Sequence, residues 1–566
     1  MASKRLDDGG DGGLSPEIPP LPKSLATALA KFDIDPILHY AVQCPTCGAQ
    51  YPFDQNGGFD TFCSWQDFEN SGPCGTALGS EIRVRNRAVR SPKKVLARQN
   101  VSEWIARMLA RPGMEAAMDR TARAAEVKEV VSDIWDSPFI HSVPWKDGKK
   151  FAEAPESQLR LVFTMGIDWF GAHHSPAGKK QWSVGAMYLI CLNIPAPIRQ
   201  RPENICLVLI IPGPQKPSAE QLNHFLKPVV DEFLPFWETG RWYTQTTEFP
   251  EGRLVLILLL LLIADLEACR ALAGFNHHSH QQFCSYCDIT QNTITNLDHS
   301  TWKRRDSETH RAQALRWRDA NTLEERKMIA AQYGVRFSEL LRLPYWDPVR
   351  QMVPEPMHII HLGVAKRHCR SIWKMDLTVQ GGDGRGFIIS RSTRTVLGTE
   401  LIQEIKLDRA ITILPTGYRK APEHMGSKSH GKLSADEWRT LLNIHMVVTI
   451  PRIWSKEPEG SRLAQMLDNF IHLVTASRLA TARIASPDHS KCCLEHMVKY
   501  LEGIVKLFPM EPLVPNHHLA VHIPADFLDV IGPIQPWSAN IFERLNGILQ
   551  KIPTNHRFGK FDLYVA

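Results

Sequence analysis

The stretch Leu254-Val-Leu-Ile-Leu-Leu-Leu-Leu-Leu-Ile-Ala264 holds 11 apolar residues without a polar break, and Asp265 follows directly. A membrane-spanning helix needs roughly 20 such residues. The run is therefore too short to cross a bilayer and reads as a buried strand. A second extended run, Leu159-Arg-Leu-Val-Phe-Thr-Met-Gly-Ile, ends on Asp168. Near the C-terminus, Ser538 can cap a helix that carries Ile541, Leu545, Ile548 and Ile552 on one face, and Pro553 stops it. Glu543 lies on the flank of that face, where a carboxylate can reach a partly open site. Carboxylates at two strand ends and on one helix are a ligand set for a pair of divalent cations. Such a pair activates water and stabilises the leaving oxygen of a phosphodiester.

The elements between the acids give the order in which they meet. Strand-like runs cover 159–168, 182–194 and 204–211, and Pro212-Gly-Pro ends the third. A helix follows, with Ser218 and Gln221 as a capping box. Leu222, Phe225, Leu226, Val229, Val230, Phe233 and Leu234 form its buried stripe, and Pro228 should kink it. The strand 254–264 comes next. Strand, strand, strand, helix, strand is the first half of a ribonuclease-H-like domain. Its first acid belongs at the end of strand one and its second just after strand four, where Asp168 and Asp265 fall. Residues 290–515 read mostly as helices and loops, a block too long to be a loop.

The expected fold is thus α/β: a ribonuclease-H-like catalytic core interrupted by a large helical insertion, with an N-terminal zinc-ribbon-like module. The boundaries follow the composition. Residues 1–35 read as a disordered N-terminus, 36–80 as the zinc-ribbon-like module, and 81–155 as a basic and helical linker region. Residues 156–290 form the first part of the core, 291–510 the insertion, and 511–566 the return to the core with the third acid.

Twelve cysteines are present, and their two C-x-x-C pairs favour zinc over a secreted disulfide framework. Cys44-Pro-Thr-Cys47, Cys63 and Cys74 have spacing close to that of a zinc ribbon, a unit that depends on its metal to fold. Cys284-Ser-Tyr-Cys287 offers two more thiolates. Their partners are sought in Pro515-Asn-His-His-Leu-Ala-Val-His522: His522 with His517 or His518, while His278 is a competing local ligand. A zinc held this way would clamp the start of the insertion to its end and fix Glu543 against the two aspartates. Glu355 and His358 resemble a ligand pair on a turn, and read blind they are a local hydrogen-bond feature.

At 566 residues the chain can hold two to four domains, and its 43% hydrophobic and 22% charged side chains read as ordinary globular protein. Its net charge of +6 permits a nucleic-acid partner without demanding one. The sharper signal is local: residues 82–98 contain Arg83, Arg85, Arg87, Arg90, Lys93, Lys94 and Arg98 and no acid. Such a run can contact phosphates, serve as a nuclear-import signal, or be no more than a solvated linker. The N-terminus has no apolar signal core, so a soluble intracellular protein without a membrane association is expected.

Taken together, these stretches resemble the transposase proteins of CACTA (En/Spm-like) cut-and-paste DNA transposons, in the fungal version related to the Kyakuja–Dileera–Zisupton group. The matching stretches are Gly166-Ile-Asp168, Ile211-Pro-Gly-Pro214, Ala264-Asp-Leu-Glu-Ala-Cys-Arg270 and Gly274-Phe-Asn-His-His-Ser-His280 running into Cys284-Ser-Tyr-Cys287. Further on come Leu341-Arg-Leu-Pro-Tyr-Trp-Asp347, Glu355-Pro-Met-His358, Gly426-Ser-Lys-Ser-His-Gly-Lys432, Val514-Pro-Asn-His-His-Leu519 and Phe542-Glu-Arg-Leu-Asn-Gly547. The spacing of the cysteines behind Asp265, and of the histidines ahead of Glu543, is similar to the split zinc site of the vertebrate V(D)J recombinase catalytic subunit. The resemblance implies a nuclear DDE transposase with Asp168, Asp265 and Glu543 on two Mg²⁺ ions, zinc as a second metal, and double-stranded DNA (transposon ends and target) as partner, with self-association left open.

The chain departs from the family pattern in places. The family usually has Asp at the position of Glu355, and Leu-Pro-Ala-Ala-Arg where this chain has Leu266-Glu-Ala-Cys-Arg270. Related chains also continue past the match at Phe558-Gly559. The alternatives are therefore an inactive, truncated or domesticated zinc- and DNA-binding remnant, or a zinc-knuckle interaction scaffold.

Overall fold

The computed structural model describes residues 36–84, 87–173, 182–375, 395–425 and 432–552. The N-terminal stretch, Arg85, most of the 426–432 motif, Pro553 and the C-terminal residues from 553 onward lie outside the described residues.

Ten strands are described: β1 (Leu38–Gln43), β2 (Gln50–Pro52), β3 (Gly79–Val84), β4 (Arg87–Pro92), β5 (Val95–Gln99), β6 (Gln158–His173), β7 (Trp182–Cys191), β8 (Ile205–Ile211), β9 (Arg241–Tyr243) and β10 (Arg253–Ile263). Eight of them form one curled sheet in the order β2-β1-β5-β8-β7-β6-β10-β9, and β3 and β4 pair separately as a hairpin. β6, β7 and β8 run as an antiparallel meander. β10 returns parallel to β6.

A parallel neighbour cannot be reached by a tight turn and needs a crossover, usually a helix. Here that helix is Ala219–Glu238, which opens with the reciprocal Ser218–Gln221 hydrogen bonds and runs through both Pro228 and Pro235. Its stripe Leu222, Phe225, Leu226, Val229, Val230 and Phe233 is buried, and Phe236 extends it. β10 itself is buried from Val255 to Ile263, as an unbroken aliphatic run must be when both faces of its sheet are covered.

Two expectations are refined. Within the 81–155 linker region the helical part is broken at Arg111-Pro112-Gly113 into α1 (Val101–Leu109) and α2 (Met114–Arg123); the crossover is then α3. Gly113 adopts φ 73°, the left-handed region that glycine tolerates best. The cysteine-rich segment is also not a detached module. β1 and β2 extend the central sheet by pairing β1 with β5, while Val42, Cys44, Ala49, Tyr51, Cys63 and Leu78 keep a small core of their own.

After β10 come α4 (Leu266–Ala273) and a long helical region. It includes α5 (Met357–Ala365), which is wound in the wider π form, and the antiparallel pair α6 (Arg462–Ala480) and α7 (Pro487–Leu507). The chain then returns through α8 (Pro515–His522) to α9 (Asn540–Leu549), which packs against β6. No helix of the described residues is long and apolar enough to cross a membrane.

Candidate metal centres

The parallel register places two of the acids. Ile263 on β10 pairs with Gly166 on β6, and Asp265 and Asp168 each follow two residues later. Asp265 caps α4, its Oδ1 accepting from the Ala268 amide at 2.7 Å. Asp168 Oδ1 accepts from the Trp169 amide at 2.8 Å, and its Oδ2 accepts from Asn546 Nδ2 at 2.8 Å.

Asn546 stands one turn after Glu543 on α9, so the helix that carries the third acid is tied to the first. The Tyr188 hydroxyl donates to Asn546 Oδ1 at 2.6 Å and completes a chain from β7 through α9 to β6. Phe542 stacks on Tyr188 with ring centroids 5.5 Å apart. It also lies over Gly166, where a Cβ would stand 2.0 Å from Phe542 Cζ. Only glycine at 166 lets α9 settle this close.

A further segment joins the site from the insertion. Met352 forms a parallel bridge to Leu262 at the end of β10 and leads the chain to Glu355 and His358. Buried Glu355 accepts from the His358 amide and from His358 Nδ1, both at 2.8 Å. Its other oxygen accepts from the Ala539 amide at 3.0 Å. That interaction caps the start of α9, a task the sequence assigns to Ser538; Ser538 Oγ accepts from the Asn540 amide only at 3.4 Å. With Nδ1 committed to Glu355, His358 Nε2 faces Glu543 Oε1 at 3.9 Å.

The charges of these groups act on one another. Burial raises the Asp168 carboxyl, and the Asp265 charge raises it further, against the Trp169 and Asn546 hydrogen bonds and the His358 charge. Glu543 is about half exposed, yet partial desolvation raises its carboxyl; His358 opposes this, while Asp168 and Glu355 add to it. Burial alone would lower His358, but the Glu355 hydrogen bond and the charges of Glu355, Asp265 and Glu543 hold it up at about 9. The carboxylates thus repel one another, with one imidazolium among them. This is the charge pattern of a site that suits cations.

Asp168, Asp265 and Glu543 are not among the groups of three or more ligands whose atoms gather within 4.8 Å of one another. Ions about 3.5–4 Å apart, each about 2.1 Å from its oxygens, can be spanned by carboxylates up to roughly 8 Å apart.

Two groups of described residues do gather that tightly, and no other: Cys44, Cys47, Cys63 and Cys74, and Cys284, Cys287, His518 and His522. In the first, Cys44 and Cys74 sulfurs are 3.8 Å apart and those of Cys47 and Cys63 3.4 Å apart. The knuckle turns through Gly48 at φ 86°, whose amide donates back to the Cys44 carbonyl at 3.1 Å. In the second, Cys284 and Cys287 sulfurs are 3.6 Å apart. Cys284 meets His522 Nε2 at 3.3 Å, Cys287 meets His518 Nε2 at 3.3 Å, and the two imidazole nitrogens are 3.0 Å apart. Sulfurs about 2.3 Å from a tetrahedral ion are roughly 3.8 Å from each other, so both groups fit zinc.

Asp526 takes the other nitrogen of His522 at 2.5 Å, which fixes the tautomer that leaves Nε2 toward the sulfurs. Burial opposes charge on Cys284, yet the Cys287 thiol and the two imidazoles lower it well below the ordinary thiol range.

His517 is corrected. It is not in the cluster, because adjacent residues on a helix point about 100° apart, while 518 and 522 share a face. Its ring lies instead near Tyr500, at 6.4 Å. His278 is not in the cluster either; its ring packs on His277 at 3.9 Å. Sequence reasoning misses Asn546 altogether. The signal that could have found it is a polar side chain one turn after Glu543 on the same helix face.

A search of curated proteins finds no match. Among solved structures, the Drosophila P element transposase strand transfer complex matches at 10% identity and a TM-score of 0.32, over 71% of this chain and 75% of that one. No shared fold follows at that level. Residues 141–326, about a third of the chain, match the family described as "Transposase family tnp2". That segment carries Asp168, Asp265, Cys284 and Cys287, and the match supports a relationship to transposases.

Proposed function

We propose that this protein is a DDE-type DNA transposase with a ribonuclease-H-like core, in which Asp168, Asp265 and Glu543 hold two Mg²⁺ ions. The observation that carries the reading is the β6–β10 register, which sets Asp168 beside Asp265 inside the segment that matches a transposase family. The meander β6-β7-β8 with β10 added parallel to β6 supports the core assignment.

Bound Mg²⁺ would supply Lewis acidity to the attacking and leaving oxygens of a phosphodiester. The protein's own groups arrange the rest. Asn546 orients the Asp168 carboxylate, and the Gly166–Phe542 approach seats α9 against β6, from where Glu543 would reach the strand ends. Glu355 holds His358 with its Nε2 toward the acids. In the first step water attacks phosphorus at a transposon end and the P–O3′ bond breaks, leaving a free 3′-OH. In the second that hydroxyl attacks a phosphorus of target DNA and displaces the target's own 3′ oxygen, with no covalent enzyme intermediate.

Cys284, Cys287, His518 and His522 would hold zinc, which would join the segment after α4 to α8 and so clamp the two ends of the helical insertion. Cys44, Cys47, Cys63 and Cys74 would hold a second zinc, which would stabilise the N-terminal unit. Within this reading the partner is duplex DNA, the compartment is the nucleus, and the relatives are CACTA-type elements. Purified protein incubated with supercoiled DNA and Mg²⁺ or Mn²⁺ should nick it, and Asp168→Ala should abolish nicking. Metal-independent nicking, or nicking that survives Asp168→Ala, would overturn the proposal.

A further inference from the structure

The basic run of residues 82–98 does not form a loose strip. Most of it is the hairpin β3–β4, which pairs with no strand of the central sheet. Ile82 and Val89 face each other across the ladder, 43% and 44% exposed, on the face that also carries Arg87. Arg83 is exposed on the opposite face. An apolar cross-strand pair in water, with arginines on both faces, does not explain itself as packing. Isolated two-stranded ribbons are marginal, and their apolar faces are normally covered.

The base of the hairpin is held firmly, so this exposure is built in. The Arg90 guanidinium donates to the carbonyls of Phe59 and Asp60 and to Thr61 Oγ1, at 3.2, 2.8 and 3.0 Å. It lies 4.5 Å over the Phe59 ring, and Gly79 leaves no room for a side chain against that ring. The root is therefore fixed to the four-cysteine unit, through residues lying between Tyr51 and Cys63. Among the described residues no strand covers this ribbon, and its root is rigid, so it is free to meet a partner.

We infer that the β3–β4 ribbon is a clamp for duplex DNA, a role that rests on the transposase reading but lies apart from the acidic site. The DNA major groove is about 12 Å wide and admits a two-stranded β-ribbon. Arg83 on β3 and Arg87 on β4 stand on the two strands of the ribbon, so their long side chains can each reach phosphates along one wall of the groove. Ile82 and Val89 supply apolar surface to base edges, of the kind thymine methyl groups accept. The charge decides between partners. The described ribbon and its exit strand carry Arg83, Arg87, Arg90, Lys93, Lys94 and Arg98 against the single acid Glu81, which suits a polyanion.

The test uses the full chain and a duplex of mixed sequence, with affinity measured by fluorescence anisotropy across about 50 to 200 mM salt, a range over which binding to phosphates weakens steeply. Arg83→Ala/Arg87→Ala should weaken binding about tenfold at the lower salt and reduce the slope of log affinity against log salt by about 2, since each phosphate left unneutralised accounts for about 0.9. Ile82→Ser/Val89→Ser should weaken binding without changing that slope. A control that removes two exposed cations elsewhere, Arg123→Ala/Lys227→Ala, should leave both quantities near those of the native protein. Circular dichroism and thermal melts establish that each variant is folded.

Native-like affinity and slope in the folded arginine variant would overturn the clamp and leave the ribbon an import signal or a protein-docking arm. Equal weakening in the arginine variant and the control would overturn it too, since net charge alone would then account for binding. Absence of DNA binding by the native protein would instead sink the transposase reading itself.

Discussion

Asn546 Nδ2 donates to Asp168 Oδ2 at 2.8 Å, joining the helix of the third acid to the strand of the first across 378 positions of sequence. With the Trp169 amide on the other oxygen, Asp168 is held from both sides before any cation arrives. Asn546→Ala should leave the chain folded, at a cost of about 1–3 kcal/mol for the buried Tyr188 hydroxyl left without its acceptor. The Mg²⁺ concentration needed for half-maximal nicking should rise several-fold. Asn546→Gln, which keeps the amide but moves it by a methylene, should not restore that requirement. An unchanged metal requirement in the alanine variant would make Asn546 a packing residue only.

Gly166→Ala should be among the most damaging single-methyl changes in the protein. The added carbon would fall 2.0 Å from Phe542 Cζ, so α9 must move or the ring must leave. Overpacking of this kind costs roughly 1–3 kcal/mol. Pairing Gly166→Ala with Phe542→Leu should recover part of the melting temperature. Failure of the smaller side chain to recover any of it would mean that the close approach of α9 to β6 is not what glycine permits.

The Glu355–His358 pair predicts a particular dependence of stability on pH. Burial disfavours the imidazolium, but its partners raise His358 from its ordinary 6.5 to about 9, so the folded protein holds that proton more tightly than the unfolded chain. The stabilisation is complete below about pH 6.5 and is lost as pH rises through about 9, with a size of at most ~3 kcal/mol. Glu355 has the opposite sense. Burial alone would raise its carboxyl, but the hydrogen bond and charge of His358 lower it, so its contribution is present above 4.5 and is lost as pH falls further. Metal-free protein should therefore melt at lower temperature as pH goes from 6.5 to 9, and His358→Asn should flatten that limb. A native limb that is already flat would contradict the pair.

The two cysteine groups predict two zinc ions per chain by elemental analysis. His518→Ala should lose one of them, and His517→Ala should retain both, since only His518 shares a helix face with His522. Loss of a zinc in the His517 variant alone would reverse the assignment.

Much of the core is legible in the sequence because it rests on short-range rules. The buried strand ending at Asp265, the stripe and capping box of α3, and the Cys284–Cys287 pair are all set by neighbouring residues. What escapes is set by distant ones. The cap on α9 comes from Glu355, not from nearby Ser538. The choice between His517 and His518 needs residues 515–522 to be recognised as a helix, since only then do 518 and 522, four apart, share a face. The attachment of the cysteine-rich segment to the central sheet depends on β5, a strand whose pattern is masked by the basic run. The close approach of Gly166 to Phe542 joins residues that no local pattern connects.

The central claim is that Asp168, Asp265 and Glu543 act as one metal site, and anomalous diffraction from crystals soaked in Mn²⁺ tests it most directly. The account predicts two anomalous peaks roughly 3.5–4 Å apart, with Asp168 and Asp265 coordinating at the strand ends and Glu543 completing the set from α9. Saturating Mn²⁺ that leaves the space between these carboxylates without an anomalous peak, with His358 still facing Glu543, would contradict it.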